Sequence, residues 1–505
     1  MFDVGREIFL EEGRHGMERE KSLHENRIFI ITREMWILIL FTLFYIWFCN
    51  SFMVELPHLS WFDFFGYIEP LETGTLKAGT LFSAYSEHGM LGYNILFLIN
   101  VKFFNLSTMF DVYINDTVVF LCGLVILTEY IKSFSHKKAM YYIGIVGICF
   151  SICTATQISS GAMETQVRLG CLFIIIVFKE TNDFLTQEDV SWLKVFKICF
   201  CLLLALNVFG TIYTFSGIPL LFIILIYKAF RQTDQRKKYI TVAGMCCVSA
   251  VLYLFEYHLF GLKAGAGNES LLKTIVEVLF LHPITLAKAI IGYNGGSLLG
   301  SAMYMDRSVN LNVYLGVGIV VTLILLYAIY VFFRNRMYIE TYIPILLIGY
   351  SFVVVILSFV GRYYKGWDWV LSEWYSVHSK FQIAGVFWII AYSYRSIVYD
   401  VKKYIVAIHA GAIVVLFLFG AFGNYTHLKR MPNVAAYYKE KQSYLFFERE
   451  DMPVDESGNT PLLADLDTTM NAIEIMKKYN LSVYSEPAAK YFCNMLHEKN
   501  DRDKR

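Results

Sequence analysis

Apolar runs of about 17 to 23 residues recur along this chain, each long enough as a helix to cross a hydrocarbon layer of about 30 Å. The short segments between them are alternately rich and poor in Lys and Arg. A backbone placed in lipid must satisfy its own hydrogen bonds, and a helix does so within one segment. The expected fold is therefore an all-α polytopic membrane protein. With 56% hydrophobic and 17% aromatic residues and a mean hydropathy of +0.48, the chain is too apolar for an ordinary soluble domain.

The runs lie near residues 35–52, 111–131, 139–156, 166–178, 193–211, 214–230, 240–257, 311–333, 341–360, 381–394 and 404–422, about eleven spans in all. Basic residues cluster at Lys132, Lys137 and Lys138, at Arg231, Arg236, Lys237 and Lys238, at Arg334 and Arg336, and at Arg395, Lys402 and Lys403. The positive-inside rule makes these short loops cytoplasmic. The charged segment 1–34 then reads as a cytoplasmic tail before an uncleaved first span, and 423–505 as a short external C-terminal tail. Residues 35–422 form the expected transmembrane domain. Its long external loops cover 53–110 and 258–310, with a shorter one at 361–380. Long connections on one face are where function is expected, because most connections are short. The cysteines lack a CxxC pair and fall mainly in apolar runs, where they read as small packing residues.

Three polar clusters interrupt the pattern. The first loop carries Asp63, Glu87 and His88, and a carboxylate at a membrane surface can serve as a general base. The turn TATQISSGAMETQVRLG sets Gln157, Glu164, Gln166 and Arg168 at the mouths of two helices, where amides suit sugar hydroxyls. In GRYYKGWDWVLSEWYSVHSKF, Arg362, His378 and Lys380 stand beside tryptophans, which suits a lipid-linked phosphate at headgroup depth. Each cluster also has a plain reading, as solvated loop charge, hairpin turn or snorkelling cations. The run HPITLAKAIIGYNGGSLLG reads as a short helix ending at an Asn294–Gly295–Gly296 turn, a structural lid. No Walker A loop, nucleophile elbow or HExxH is present, so soluble nucleotide chemistry has no support, and nothing points to nucleic acid.

On these residues the chain resembles bacterial multi-pass membrane proteins of the GT-C glycosyltransferase superfamily. SAYSEHGMLGYNILFLINVKFF is similar to that group's first-loop segment, with Glu87 and His88 matching and Gly89 where Arg is usual. QISSGAMETQVRLG matches its second-loop turn at Gln157 and Gln166, and GRYYKG with HSKF matches at Arg362, Gly366 and Ser379. Lys380 and Phe381 replace the group's Arg and Tyr, and NAIEIMKKYNLSV is similar to its closing segment. The resemblance implies a GT-C-like fold that moves a sugar from a polyprenyl-phosphate donor to a cell-surface glycan or lipid acceptor. Asp63 or Glu87 would be the base, with His88, Gln157, Gln166, Arg362, His378 and Lys380 binding substrate. It implies no fixed cofactor; metal dependence varies across the superfamily, and no ligand set here names a metal. Two other readings stand beside it: a transporter or flippase of a lipid-linked glycan, and a membrane scaffold whose amphipathic LADLDTTMNAIEIMKKY stretch binds a partner.

Overall fold

The computed structural model describes residues 34–56, 78–82, 84–85, 88–89, 91–134, 139–153, 162–187, 191–260, 271–300, 310–372, 375–394, 403–462 and 465–485. These residues are almost wholly helical. The principal helices are α1 (Met35–Phe52), α2 (Leu91–Phe104), α3 (Thr108–Lys132), α4 (Ala139–Cys153), α5 (Ala162–Thr186), α6 (Trp192–Leu203), α7 (Ile218–Arg231) and α8 (Arg236–Phe260). They continue as α9 (Leu271–Leu281), α10 (Pro283–Leu299), α11 (Leu311–Arg334), α12 (Ile343–Arg362), α13 (Ser376–Ser393), α14 (Lys403–Ser443) and α15 (Leu466–Lys478). Only a two-residue antiparallel ladder, β1 (Ala84–Tyr85) with β2 (His88–Gly89), departs from this among the described elements.

A helix lies on each of the eleven expected apolar runs. Six described segments are both long and apolar enough to cross a membrane: Thr108–Lys132, Tyr213–Arg231, Arg236–Glu256, Leu311–Arg334, Ile343–Arg362 and Tyr404–Phe446. At the centre stands α13, buried on every side from Val377 to Ser393, with α4 and α12 packed against it. A helix without an exposed face needs no amphipathic pattern, and beyond its polar first turns α13 reads as almost uniformly apolar. Its Trp388 packs edge-on against Tyr130 of α3, which stacks on Tyr141 of α4. The starts of α3, α5, α11 and α13 and the end of α12 lie toward one end of the bundle, which is termed the long-loop face after the loops expected there.

Two findings at that face differ from expectation. The first concerns α10, which is neither a lid nor broken at Asn294–Gly295–Gly296. The helix runs through these residues and packs against α11, α12, α13 and α14. The glycines serve close approach: a Cβ on Gly295 would lie 2.1 Å from the Tyr314 carbonyl oxygen, and one on Gly318 1.9 Å from that of Ile291. Small residues let two apolar helices bring their backbones together, which in lipid-like surroundings substitutes for the hydrophobic driving force.

The second concerns the chain's two ends. Within the first long loop, α2 turns Tyr93, Phe97 and Val101 toward a separate apolar core. The other half of that core comes from the C-terminal segment: Leu445, Met452 and Leu462, and Met470, Ile473 and Met476 of α15. The amphipathic stretch of α15 thus turns its apolar side into a core shared with the chain's own first loop. Helix α14 passes through residue 422 without a break and reaches Ser443. At about 1.5 Å per residue its 41 residues follow a path of roughly 60 Å, with Pro432 inside the helix.

Candidate functional site

Helix α3 opens with an unusual run for an apolar segment, DVYIND. Asp111 and Asn115 are four residues apart and share a face, with Asp116 beside them. All three are buried, to 8%, 1% and 1% exposure. The opposite face, with Phe110, Tyr113, Ile114 and Thr117, lines an apolar groove of about 460 Å³ together with Phe104, Ser107 and Met109. One helix end therefore presents a polar face inward and an apolar groove outward.

Helix α5 packs against α3 and supplies the facing residues. Arg168 is buried and lies close enough to Asp116 for their charges to attract. Thr165 is fully buried one turn earlier. Among the described residues, Asp111 Oδ1, both amide atoms of Asn115, both carboxylate oxygens of Asp116 and the Thr165 hydroxyl lack a hydrogen-bond partner. Leaving a buried polar group unmatched costs about 1–3 kcal/mol, and more when it is charged. Native interiors avoid this, so six such atoms on two adjacent helices mark a place built to receive something polar.

The same stretch of α5 reaches α13. Cys171 Sγ is 3.4 Å from His378 Nδ1, which is 2.9 Å from the Tyr350 hydroxyl of α12. The ring of Tyr213 lies 4.7 Å from that of His378, closing the imidazole between three helices. Lys380, two residues on, points away from His378 because successive helical residues turn about 100°. It is buried, and His427 of α14 lies within charge-interaction range of both Lys380 and Arg430. Cation-capable side chains thus gather between α13 and α14.

The residues expected from sequence are distributed unevenly. Asp63, Glu87 and Gln157 lie outside the described residues, and for His88 only the backbone in β2 is described. Gln166 is fully buried and committed to structure. Its Oε1 accepts the Tyr93 N–H at 2.8 Å and its Nε2 donates to the Val208 carbonyl at 3.4 Å, tying α2 to α5. His378 joins Cys171 and Tyr350, and Lys380 joins His427. Arg362 ends α12, half-buried, donating to the Gly361 carbonyl at 3.0 Å. Arg168 belongs to the polar turn expected from sequence, whereas Asp111, Asn115 and Asp116 lie outside the three clusters. The available signal was two acids and an amide inside six residues of an apolar run, because ionisable residues in such runs are costly unless functional.

Among the described residues, no group of three His, Cys, Asp or Glu side chains is placed to hold a metal ion. No family model, curated protein or solved structure matches this chain.

Proposed function

We propose that this protein is a membrane glycosyltransferase that moves a sugar from a polyprenyl-phosphate donor to an acceptor hydroxyl at the long-loop face. The observation that carries the reading is the set of buried polar atoms on Asp111, Asn115, Asp116 and Thr165 that lack a hydrogen-bond partner among the described residues, with Arg168 near Asp116. Planar carboxylates and amides held at fixed positions can exchange hydrogen bonds with the vicinal hydroxyls of a sugar. The apolar groove on the other side of the same helix end suits a prenyl chain. Lys380 and Arg430, both within charge range of His427, supply positive charge of the kind a leaving phosphate needs.

In this reading the acceptor oxygen attacks the anomeric carbon, and the bond from that carbon to the phosphate oxygen breaks. Asp63 or Glu87 of the first loop takes the acceptor proton, and the departing phosphate keeps the electron pair. The orientation follows the basic loops, with about eleven spans, the N-terminus inside and the long-loop face outside. A transporter would set charges along helix centres. Here Asp116, Arg168, His378 and Lys380 all sit within the first nine residues of their helices.

The test is product analysis with purified full-length protein and a labelled polyprenyl-phosphate sugar. A new glycosidic bond is expected. Either Asp63→Asn or Glu87→Gln should lower turnover about 100- to 10,000-fold, the usual worth of a general base. Movement of label across a vesicle membrane without any bond formed would assign the protein to transport instead.

A further inference from the structure

The C-terminal segment does more than cover α2. It meets the start of α3 through one side chain, Glu55, which lies just after α1. The Glu55 carboxylate accepts the Thr108 backbone N–H at 2.6 Å and the Ser107 hydroxyl at 3.2 Å. From the far end of the chain, the Ser482 hydroxyl donates to the same carboxylate at 3.2 Å, and Gln442 donates to the Glu55 carbonyl at 2.6 Å. The Leu56 N–H returns to the Thr108 hydroxyl at 3.0 Å. Thr108 is the first residue of α3, one turn before Asp111.

The two segments that meet here share a sequence. Asn105–Leu106–Ser107 and Asn480–Leu481–Ser482 are both NLS triplets, and each asparagine takes a left-handed φ, 53° and 52°. Leu106 at 57° and Ser482 at 51° are left-handed as well, a conformation that costs such residues on the order of 1–3 kcal/mol each and persists only where surrounding contacts over-determine it. Those contacts are present. The Asn100 side chain brackets Ser107 with two hydrogen bonds, and the Ser482 N–H donates to the Asn105 carbonyl at 2.5 Å. Both serine hydroxyls then converge on Glu55.

We propose that Ser482 and Gln442, acting through Glu55, are positioning residues that fix the acid-bearing start of α3. None of the three needs to touch substrate. They set where Thr108 begins its helix, and therefore where Asp111 and Asn115 sit and where Asp116 stands against Arg168. The inference concerns the site described above and borrows its catalytic meaning from the proposed sugar transfer, but its geometry is independent of that activity.

The experiment compares the full-length protein in lipid nanodiscs with its Ser482→Ala/Gln442→Ala variant, using Glu474→Ala on the exposed face of α15 as control. Amide hydrogen exchange is read over α2, the first turn of α3 and α15. Loss of two hydrogen bonds should raise exchange about tenfold at α2 and at the start of α3, while α15 keeps its protection. If sugar transfer is present, kcat should fall about tenfold with the donor KM within about twofold, the mark of misplaced groups rather than lost binding. Unchanged exchange at the start of α3 would overturn the proposal. Exchange rising throughout α15 would overturn it too, since the pair would then merely hold the C-terminal segment in place. If the parent protein forms no glycosidic bond, the proposed function fails, while the exchange measurement still decides this inference.

Discussion

Glu55 shows how one side chain can carry opposing demands. Burial pushes its carboxyl above the usual carboxylate range, and the hydrogen bonds from Thr108, Ser482 and Ser107 only partly offset that. Asp111 is the neighbouring acid that feels the charge of Glu55. Because the folded protein holds this proton more tightly than the unfolded chain, Glu55 favours the folded state most at low pH. That contribution declines as pH rises from the ordinary carboxylate value through the raised one, and is flat above it. Glu55→Gln keeps the hydrogen-bonding shape without the titration. Thermal unfolding in detergent between pH 4 and 8 should therefore show a smaller fall in stability with pH for the variant than for the parent. Parallel pH profiles would remove Glu55 from the account. At the same scale, Gln166→Ala should act on structure rather than on sugar binding, because both ends of that amide are already engaged. Faster exchange at the start of α2 is its expected signature.

Helix packing supplies a sharper contrast. In α11, Gly316 and Gly318 lie two residues apart and differ completely in surroundings. Nothing lies within 4 Å of a Cβ built on Gly316, whereas one on Gly318 would strike the Ile291 backbone of α10. Gly316→Ala should be neutral or stabilising by up to about 1 kcal/mol through helix propensity. Gly318→Ala should cost about 1–3 kcal/mol, because a backbone cannot retreat as a flexible side chain can. Unfolding midpoints of the two variants check this, and equal shifts would contradict the close α10–α11 crossing. The same crossing explains a limit of the sequence. Asn294–Gly295–Gly296 carries the local signature of a turn, and nothing nearby says that another helix will press on it. The apolar runs were legible because length and hydropathy act within one segment. The polar start of α3 was legible in principle, as acids in an apolar run. The match between α2 and α15 was not, because its two halves lie hundreds of residues apart and each alone looks like an ordinary amphipathic stretch.

Across the whole molecule, the described helices show that six segments can cross a membrane, and the charge pattern proposes which way they run. A cysteine replacing Glu456, in the exposed part of the C-terminal segment, should be labelled by an impermeant maleimide in intact cells. One replacing Arg236 should not be, and the opposite result would invert the proposed orientation. Whichever way the chain runs, the Glu55–Ser482 contact joins residues 427 positions apart. At about 5–20 residues per second, a ribosome needs roughly 20–85 s to travel from one to the other. During that interval α2 exists with Tyr93, Phe97 and Val101 uncovered, and Glu55 waits for the donors that will complete its shell. The first loop of this protein is thus synthesised long before it can be finished, and nascent chains stalled anywhere between should display that apolar stripe to chaperones, proteases or the membrane surface.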